Sequence, residues 1–254
     1  MKLIHFTTID STNAEALRRL AESQNVRELD QTVIAADGQT AGRGRLKRAF
    51  YSPAQTGIYF TAIYAPENPI DDPARLTACA AVAVCRSLKD FFNVEAKIKW
   101  VNDVYVDGKK VCGILAEGHL GAAGVIDAAA IGIGVNIYPS DFPADIAARA
   151  GAVLSNNCSQ AQEGGDIRLD LARDVCQKLF DILGDSARTQ EALKEYAELS
   201  FIIGKEITVI PVIGDERSAY SATVLGIDKI ARLLVRLYDG SRRALSSGEI
   251  SIKI

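Results

Sequence analysis

The sequence predicts an α+β protein in two parts, a larger unit of interspersed helices and strands followed by a small all-β tail. Three observations predict it. Apolar residues recur at helical spacing behind capping residues in several separated places. Between them lie β-branched and aromatic runs such as Thr56–Tyr64 and Ala128–Tyr138. Beyond Gly204 the texture changes to short strand-like pieces divided by turn pairs, the spacing of a small barrel. The boundary falls near residue 201, giving units of residues 1–200 and 201–254.

In chain order, Thr12-Asn13-Ala14-Glu15 reads as a capping box, with Ala14, Leu17, Leu20 and Ala21 on the apolar face of the helix behind it. Thr32–Ala36 reads as a strand running into a glycine–arginine loop, and Thr56–Tyr64 as the next strand. Asp71-Asp72-Pro73 opens a second helix whose core face is Leu76, Ala80, Ala83, Val84, Leu88 and Phe91. Strands are expected at Ile98–Val101 and Val104–Val106 around an Asn102-Asp103 turn. Asp107-Gly108 then turns the chain into Lys110–Glu117.

Ala128–Tyr138 is a further strand, and the polar stretch Ser155–Gly165 reads as a loop. Asp166 caps a helix with Ala172, Val175, Leu179 and Leu183 on one face, ending at Gly184; another covers about Ala187–Leu199. The tail strands are Glu206–Val212, Ser218–Ile227, Ala231–Tyr238, Arg242–Leu245 and Glu249–Ile254. Gly214-Asp215, Asp228-Lys229, Asp239-Gly240 and Ser247-Gly248 turn between them.

Composition narrows the function. The 254 residues are 48% hydrophobic and 24% charged, enough for a sizeable core, and the net charge of −3 gives no global pull toward nucleic acid or anionic membrane. Neither a signal-peptide run nor an apolar stretch of about 18 residues is present, so no membrane association is expected. The five cysteines (Cys79, Cys85, Cys112, Cys158, Cys176) are scattered without a C-x-x-C pair, which suits reduced thiols and a cytoplasmic setting. With only His5 and His119, neither a zinc site nor a His-dependent triad is expected.

Chemistry concentrates in separated segments. Ser11-Thr12-Asn13 puts three hydrogen-bonding side chains at a helix start, where backbone N–H groups also point outward. Gln39 can donate and accept at once, as recognition of a urea or amide requires. Gly42-Arg43-Gly44-Arg45-Leu46-Lys47-Arg48-Ala49-Phe50 joins close-approach glycines to four cations, a loop suited to an anion and also readable as a solvated turn. Lys99-Trp100-Val101-Asn102-Asp103 places a lysine amid apolar strand residues, where it needs solvent or an anion, and Trp100 packs. Gly113 and the Gly132-Ile133-Gly134-Val135-Asn136 run place glycines inside strands, marks of a bulge or of close approach.

The ordered set S-T-N, Q-x-A-G-R-G-R, K-W-x-N-D, G-I-L-x-E and G-x-G-x-N, from Ser11 to Asn136, resembles the biotin protein ligase family. The resemblance implies the class II synthetase-like catalytic fold of that family, a mixed β-sheet flanked by helices, with a C-terminal SH3-like β-barrel. It implies activation of biotin by ATP and Mg²⁺ to biotinyl-5′-AMP, then transfer to one lysine of a biotin carboxyl carrier domain. Carried over by motif, Ser11, Thr12, Asn13, Gln39, Gly42, Arg43, Gly44, Arg45, Lys99, Gly113, Gly132 and Gly134 would hold biotin. Arg43, Arg45, Arg48, Phe50, Lys99, Asn102 and Asn136 would hold ATP or the adenylate, with Lys99 and Arg45 catalytic. No protein metal ligand is implied; Mg²⁺ would come with ATP.

Three positions depart from the family pattern: Lys47 stands where the loop usually has a third glycine, Phe50 where it has tryptophan, and Val101 where the lysine motif has proline. The rivals are a lipoate or octanoate ligase, whose R-R-x-S-G-G-G pattern is absent, and a non-catalytic biotin-binding module. A DNA-binding repressor is not expected, since only ten residues precede Ser11. Whether the protein dimerises is left open.

Overall fold

Seven strands make the main sheet: β1 (Lys2–Ile9), β2 (Thr32–Gln39), β3 (Gly57–Tyr64), β4 (Lys97–Lys99), β5 (Asp103–Val106), β6 (Lys109–Leu120) and β7 (Ile126–Asn136). The computed structural model describes residues 1–121, 124–154, 166–211 and 218–252. The strand order is β1-β2-β3-β7-β6-β5-β4, with β1 and β2 parallel and the other neighbours antiparallel, so the sheet is mixed. A parallel pair needs a crossover, and helix α1 (Thr12–Glu22) supplies it.

Strand alternation sorts side chains between two faces. Ile58, Phe60, Ile131, Ile133 and Val135 enter the larger core, which is covered by α2 (Pro73–Phe92), α4 (Ile167–Leu183) and α5 (Ser186–Glu198); α3 (Ala144–Ala147) is a single turn. On the opposite face α1 packs Ala16 and Leu20 against Ile34, Ile63, Ala128 and Ala130. Only 11 residues long, α1 leaves part of this face bare, and there the strands carry Gly113, Gly132 and Gly134. α2 is buried almost all round, which is why its sequence is rich in alanine and cysteine.

The tail forms a second sheet of β8 (Glu206–Ile210), β9 (Tyr220–Ile227), β10 (Leu233–Leu237), β11 (Arg242–Leu245) and β12 (Glu249–Ile252), all antiparallel, in the order β11-β10-β9-β8-β12. Among the described residues β11 and β12 are edges, and this antiparallel sheet is consistent with the SH3-like tail that the resemblance implies. Its inward residues, among them Ile207, Val209, Val224, Leu233 and Val235, continue the main core. The Ser155–Gly165 loop, Cys158, the Gly214-Asp215 turn and the last two residues lie outside the described residues.

Several local expectations change. The cap of α1 is Ser11, whose Oγ accepts from Ala14 N at 3.4 Å; Glu15 instead pairs with Arg18 and Arg19. The helix begins one residue earlier than expected, at Thr12; Ala16 and Leu20 face the core and Ala21 is exposed. The turn expected at Asn102-Asp103 sits at Trp100–Asn102, and Asp103 begins β5. β1 has no strong sequence signal, because one edge strand with polar Thr7 and Thr8 needs only a single partner.

Candidate functional site

The bare part of the α1 face is a cavity of about 250 Å³. Its floor follows from register. Lys99, Asp103, Gly113, Gly134 and Tyr59 stand directly opposite one another on β4, β5, β6, β7 and β3, so their side chains share one face. Glycine in the middle of this row keeps the floor low. A methyl group on Gly134 would lie 2.4 Å from Phe50 Cε1, and one on Gly113 2.8 Å from Cε2, so the Phe50 ring fills a slot the glycines leave. Phe50 also meets Tyr59 edge-on, with ring centroids 6.3 Å apart. The strand glycines therefore do mark close approach, here by the chain's own side chains.

One end of the cavity is neutral and rich in hydrogen bonds. Gln39 Oε1 accepts from Thr12 N at 2.8 Å and Thr12 Oγ1 at 3.2 Å, while its Nε2 donates to Ser52 Oγ at 3.0 Å. Asn13 Nδ2 donates to Glu117 Oε2 and to the Leu115 carbonyl at 2.9 and 3.1 Å, and Asn13 Oδ1 accepts from Thr61 Oγ1 at 2.6 Å. A methyl at Gly132 would lie 1.9 Å from Asn13 Oδ1, so this network requires glycine there. Gly132→Ala is expected to expel Asn13 and lower ligand affinity at least roughly tenfold, checked by calorimetric titration.

The glycine–arginine segment is a tight hairpin. Phe50 N donates to Gly42 O and Gly44 N to Arg48 O, both at 2.8 Å. Gly42 does not line the cavity; a side chain there would strike Phe50 O at 2.4 Å, so its glycine serves the hairpin itself. Leu46 and Lys47 turn the corner at φ of 55° and 60°, the left-handed region that disfavours side chains. That is the physical reason a glycine suits position 47. Lys47→Gly is expected to relieve about 1 kcal/mol of strain and raise the melting temperature by roughly 2–4 °C in a thermal scan.

Three arginines of this loop reach separate partners. Arg43 pairs with Glu117 at 2.8 Å. Arg45 donates to Asn102 Oδ1 at 3.2 Å and to the Gly248 carbonyl at 3.0 Å. Arg48 forms a two-pronged pair with Glu249, one arm at 2.7 Å. The turn before β12 in the second sheet thus anchors the loop. Burial disfavours the charge on Arg45, which Asp103 and Glu249 partly restore.

Opposite lies a basic turn. Lys99 ends β4, and burial pulls its ammonium below the ordinary lysine value, with Asp103 opposing the shift and Lys110 adding to it. Asp103 is ion-paired to Lys110 at 2.6 Å. Trp100 is buried, its indole N–H donating to the Ala231 carbonyl at 2.9 Å, and the Trp100–Val101 peptide is cis. Asn102 Nδ2 donates to the Ile114 carbonyl at 2.9 Å.

Every sequence-derived candidate except Gly42 lines this one cavity: Ser11, Thr12, Asn13, Gln39, Arg43, Gly44, Arg45, Arg48, Phe50, Lys99, Asn102, Gly113, Gly132, Gly134 and Asn136. Asn136 is held at its rim, Nδ2 donating to the Gly151 carbonyl at 3.1 Å. Sequence reasoning missed Lys110, Tyr59, Tyr105, Arg149, Gly248 and Glu249, all of which line it too. Lys110 is the most consequential. A bulge skips Val111, so that Val104 pairs with Cys112 while Tyr105 pairs with Lys110. Lys110 reads only as the first residue of the strand after the Asp107-Gly108 turn, and no sequence signal announces the bulge.

The sequence profile of the Biotin/lipoate A/B protein ligase family matches residues 5–136. The bifunctional ligase/repressor BirA of Salmonella typhimurium is 30% identical over 96% of this chain and 72% of its own length. That of Bacillus subtilis is 35% identical over 57% of this chain, a match spanning only 43% of its length. Biotin–[acetyl-CoA-carboxylase] ligase of Paracoccus denitrificans is 39% identical over 50% of this chain and 51% of its own. In fold, the chain superposes on the biotin protein ligase of Aquifex aeolicus solved with biotin and ATP, with a TM-score of 0.77, 24% identity and coverage of 99% and 98% of the two chains. A profile match over more than half the chain, together with the Salmonella relative, places this chain in the biotin/lipoate A/B protein ligase family.

Proposed function

We propose that the chain is a biotin protein ligase, joining biotin to ATP as biotinyl-5′-AMP and passing the biotinyl group to one lysine of a carboxyl carrier domain. The observation that carries this reading is the polarity of the cavity. Its neutral end, over β2 and the start of α1, offers Ser11, Thr12, Asn13 and Gln39. Its cationic end, over β4 to β6, offers Lys99, Lys110, Arg45 and Arg48. Four strand spacings separate β2 from β5, about 19 Å, with glycine between. A small acid with a neutral ureido head, an apolar tail and a terminal carboxylate fits that order. A lipoyl or octanoyl group would leave the polar end without partners.

The first step brings a carboxylate against a triphosphate, so charge neutralisation and alignment dominate. Lys99 and Lys110 stand where carboxylate and α-phosphate meet, and Arg45 and Arg48 close over the nucleotide. Among the described residues no cluster of three or more His, Cys, Asp or Glu side chains could hold a metal. Asp103 and Glu249 are the carboxylates lining the cavity, and buried Asp103 Oδ1, though ion-paired, lacks a hydrogen bond. Those residues fit a Mg²⁺ that arrives on ATP, as such ions take one or two carboxylates beside phosphate oxygens; when bound it offsets triphosphate charge. Phe50 and the hairpin keep water from the anhydride.

Incubation with ATP, Mg²⁺, biotin and a carboxyl carrier domain tests the reading by the mass of the carrier, with lipoate in parallel. Absence of biotin-dependent pyrophosphate exchange would sink it. A pH profile adds a second check. Lys99 must be charged to hold an anion, and its proton leaves more easily than from a free lysine. The alkaline fall in kcat/KM for adenylation is therefore expected below the ordinary lysine value of 10.5.

A further inference from the structure

We infer that Tyr196 is a positioning residue for the Lys99–Asp103 turn, a role that rests on the ligase reading above. Tyr196 lies on α5, beyond the residues matched by the family profile, and does not line the cavity. Its exposure is 0%, and its hydroxyl donates to the Val101 carbonyl at 2.8 Å. Val101 is the centre of the turn: Lys99 precedes it by two residues and Asp103 follows it by two.

That turn needs outside support. β4 has three residues and lies at the sheet edge, so its ladder is one-sided. On its free side the end of α5 takes over, with Ile98 N donating to Leu199 O at 2.9 Å and Phe201 N to Ile98 O at 3.3 Å. From the second sheet, the Ala231 carbonyl holds the Trp100 indole. Tyr196 completes the clamp at the Val101–Asn102 peptide, whose carbonyl lies between the Lys99 and Asn102 side chains along the chain. Burial drives the phenol far above its usual range, so it stays a donor at every working pH. A tilt of the Val101 carbonyl would swing Lys99 and Asn102 together, and displacements near 1 Å can cost on the order of a hundredfold in rate.

Tyr196→Phe keeps the ring and removes only the donor. Pyrophosphate exchange per titrated active site is expected to fall roughly tenfold or more, with the biotin Kd changed less than about threefold. Leu193→Ala, on the same helix and also buried, should lower the melting temperature yet keep the per-site rate. Equal per-site rates in wild type and Tyr196→Phe, or equal losses in both variants, would overturn the proposal. Should Tyr196→Phe not fold, Trp100→Phe loosens the clamp from the other side, and an unchanged per-site rate there overturns it as well. Hydrogen exchange of the unliganded protein adds an arm independent of activity: residues 97–106 should exchange faster in Tyr196→Phe, and an unchanged pattern refutes the clamp. If wild type showed no exchange of pyrophosphate while these amides did loosen, the ligase reading would fail and the clamp would stand.

Discussion

Lys99→Met is expected to slow biotin-dependent pyrophosphate exchange by roughly a hundredfold or more while the protein melts no lower than wild type. The two effects have one cause. Burial strips water from the Lys99 ammonium, and its proton is held less tightly in the folded chain than in the unfolded one. Its penalty on stability is therefore complete at neutral pH and fades as pH rises through the lowered folded value toward 10.5. An apolar side chain of similar length removes the penalty and the charge together. Asp103 is not stranded, because Lys110 remains 2.6 Å away. Exchange assays and a melting curve at pH 7 check both halves; a clear drop in melting temperature would mean that Lys99 is structural.

Arg45→Ala is expected to accelerate adenylate release roughly a hundredfold, equivalent to about 2.7 kcal/mol, read from the dissociation of labelled adenylate. Arg45 joins three segments: its own hairpin, Asn102 in the lysine turn, and the Gly248 carbonyl of the second sheet. Truncation leaves two acceptors without a donor and detaches the hairpin from the turn. Arg48–Glu249 would then tie the hairpin to the second sheet, a solvent-screened pair that cannot replace it. Slow release from the variant would show that the hairpin does not retain the intermediate.

Much of this site is legible in sequence because its chemistry is local. S-T-N, G-R-G-R and K-W-x-N-D each announce a helix start, a donor-rich loop or a misplaced lysine by residue type alone, and helical and strand periodicities place them. What escapes reading is set by register. A single skipped residue at Val111 turns Lys110, expected only as the first residue of a strand, into a cavity cation. Asn13 and Gly132 are 119 positions apart in number, yet each explains the other only once β7 lies beneath α1. Ser11 caps where Thr12 was expected because the Thr12 N–H and hydroxyl are taken by Gln39. The second sheet is recognisable as a run of short strands, but its carbonyl and carboxylate reaching the hairpin have no local signature.

The Gly248 and Glu249 anchors also order events in time. Arg45 and Arg48 are separated from them by 203 and 201 positions. At ribosomal speeds the hairpin waits roughly 10 to 40 s for its partners to be made. Over the later half of that interval, once Asn136 has been made, a nascent chain carries every motif from Ser11 to Asn136 and still lacks the Gly248 and Glu249 anchors of the hairpin. On the ligase reading, the pocket is assembled in one order and would become able to keep a reactive intermediate only after the second sheet has emerged.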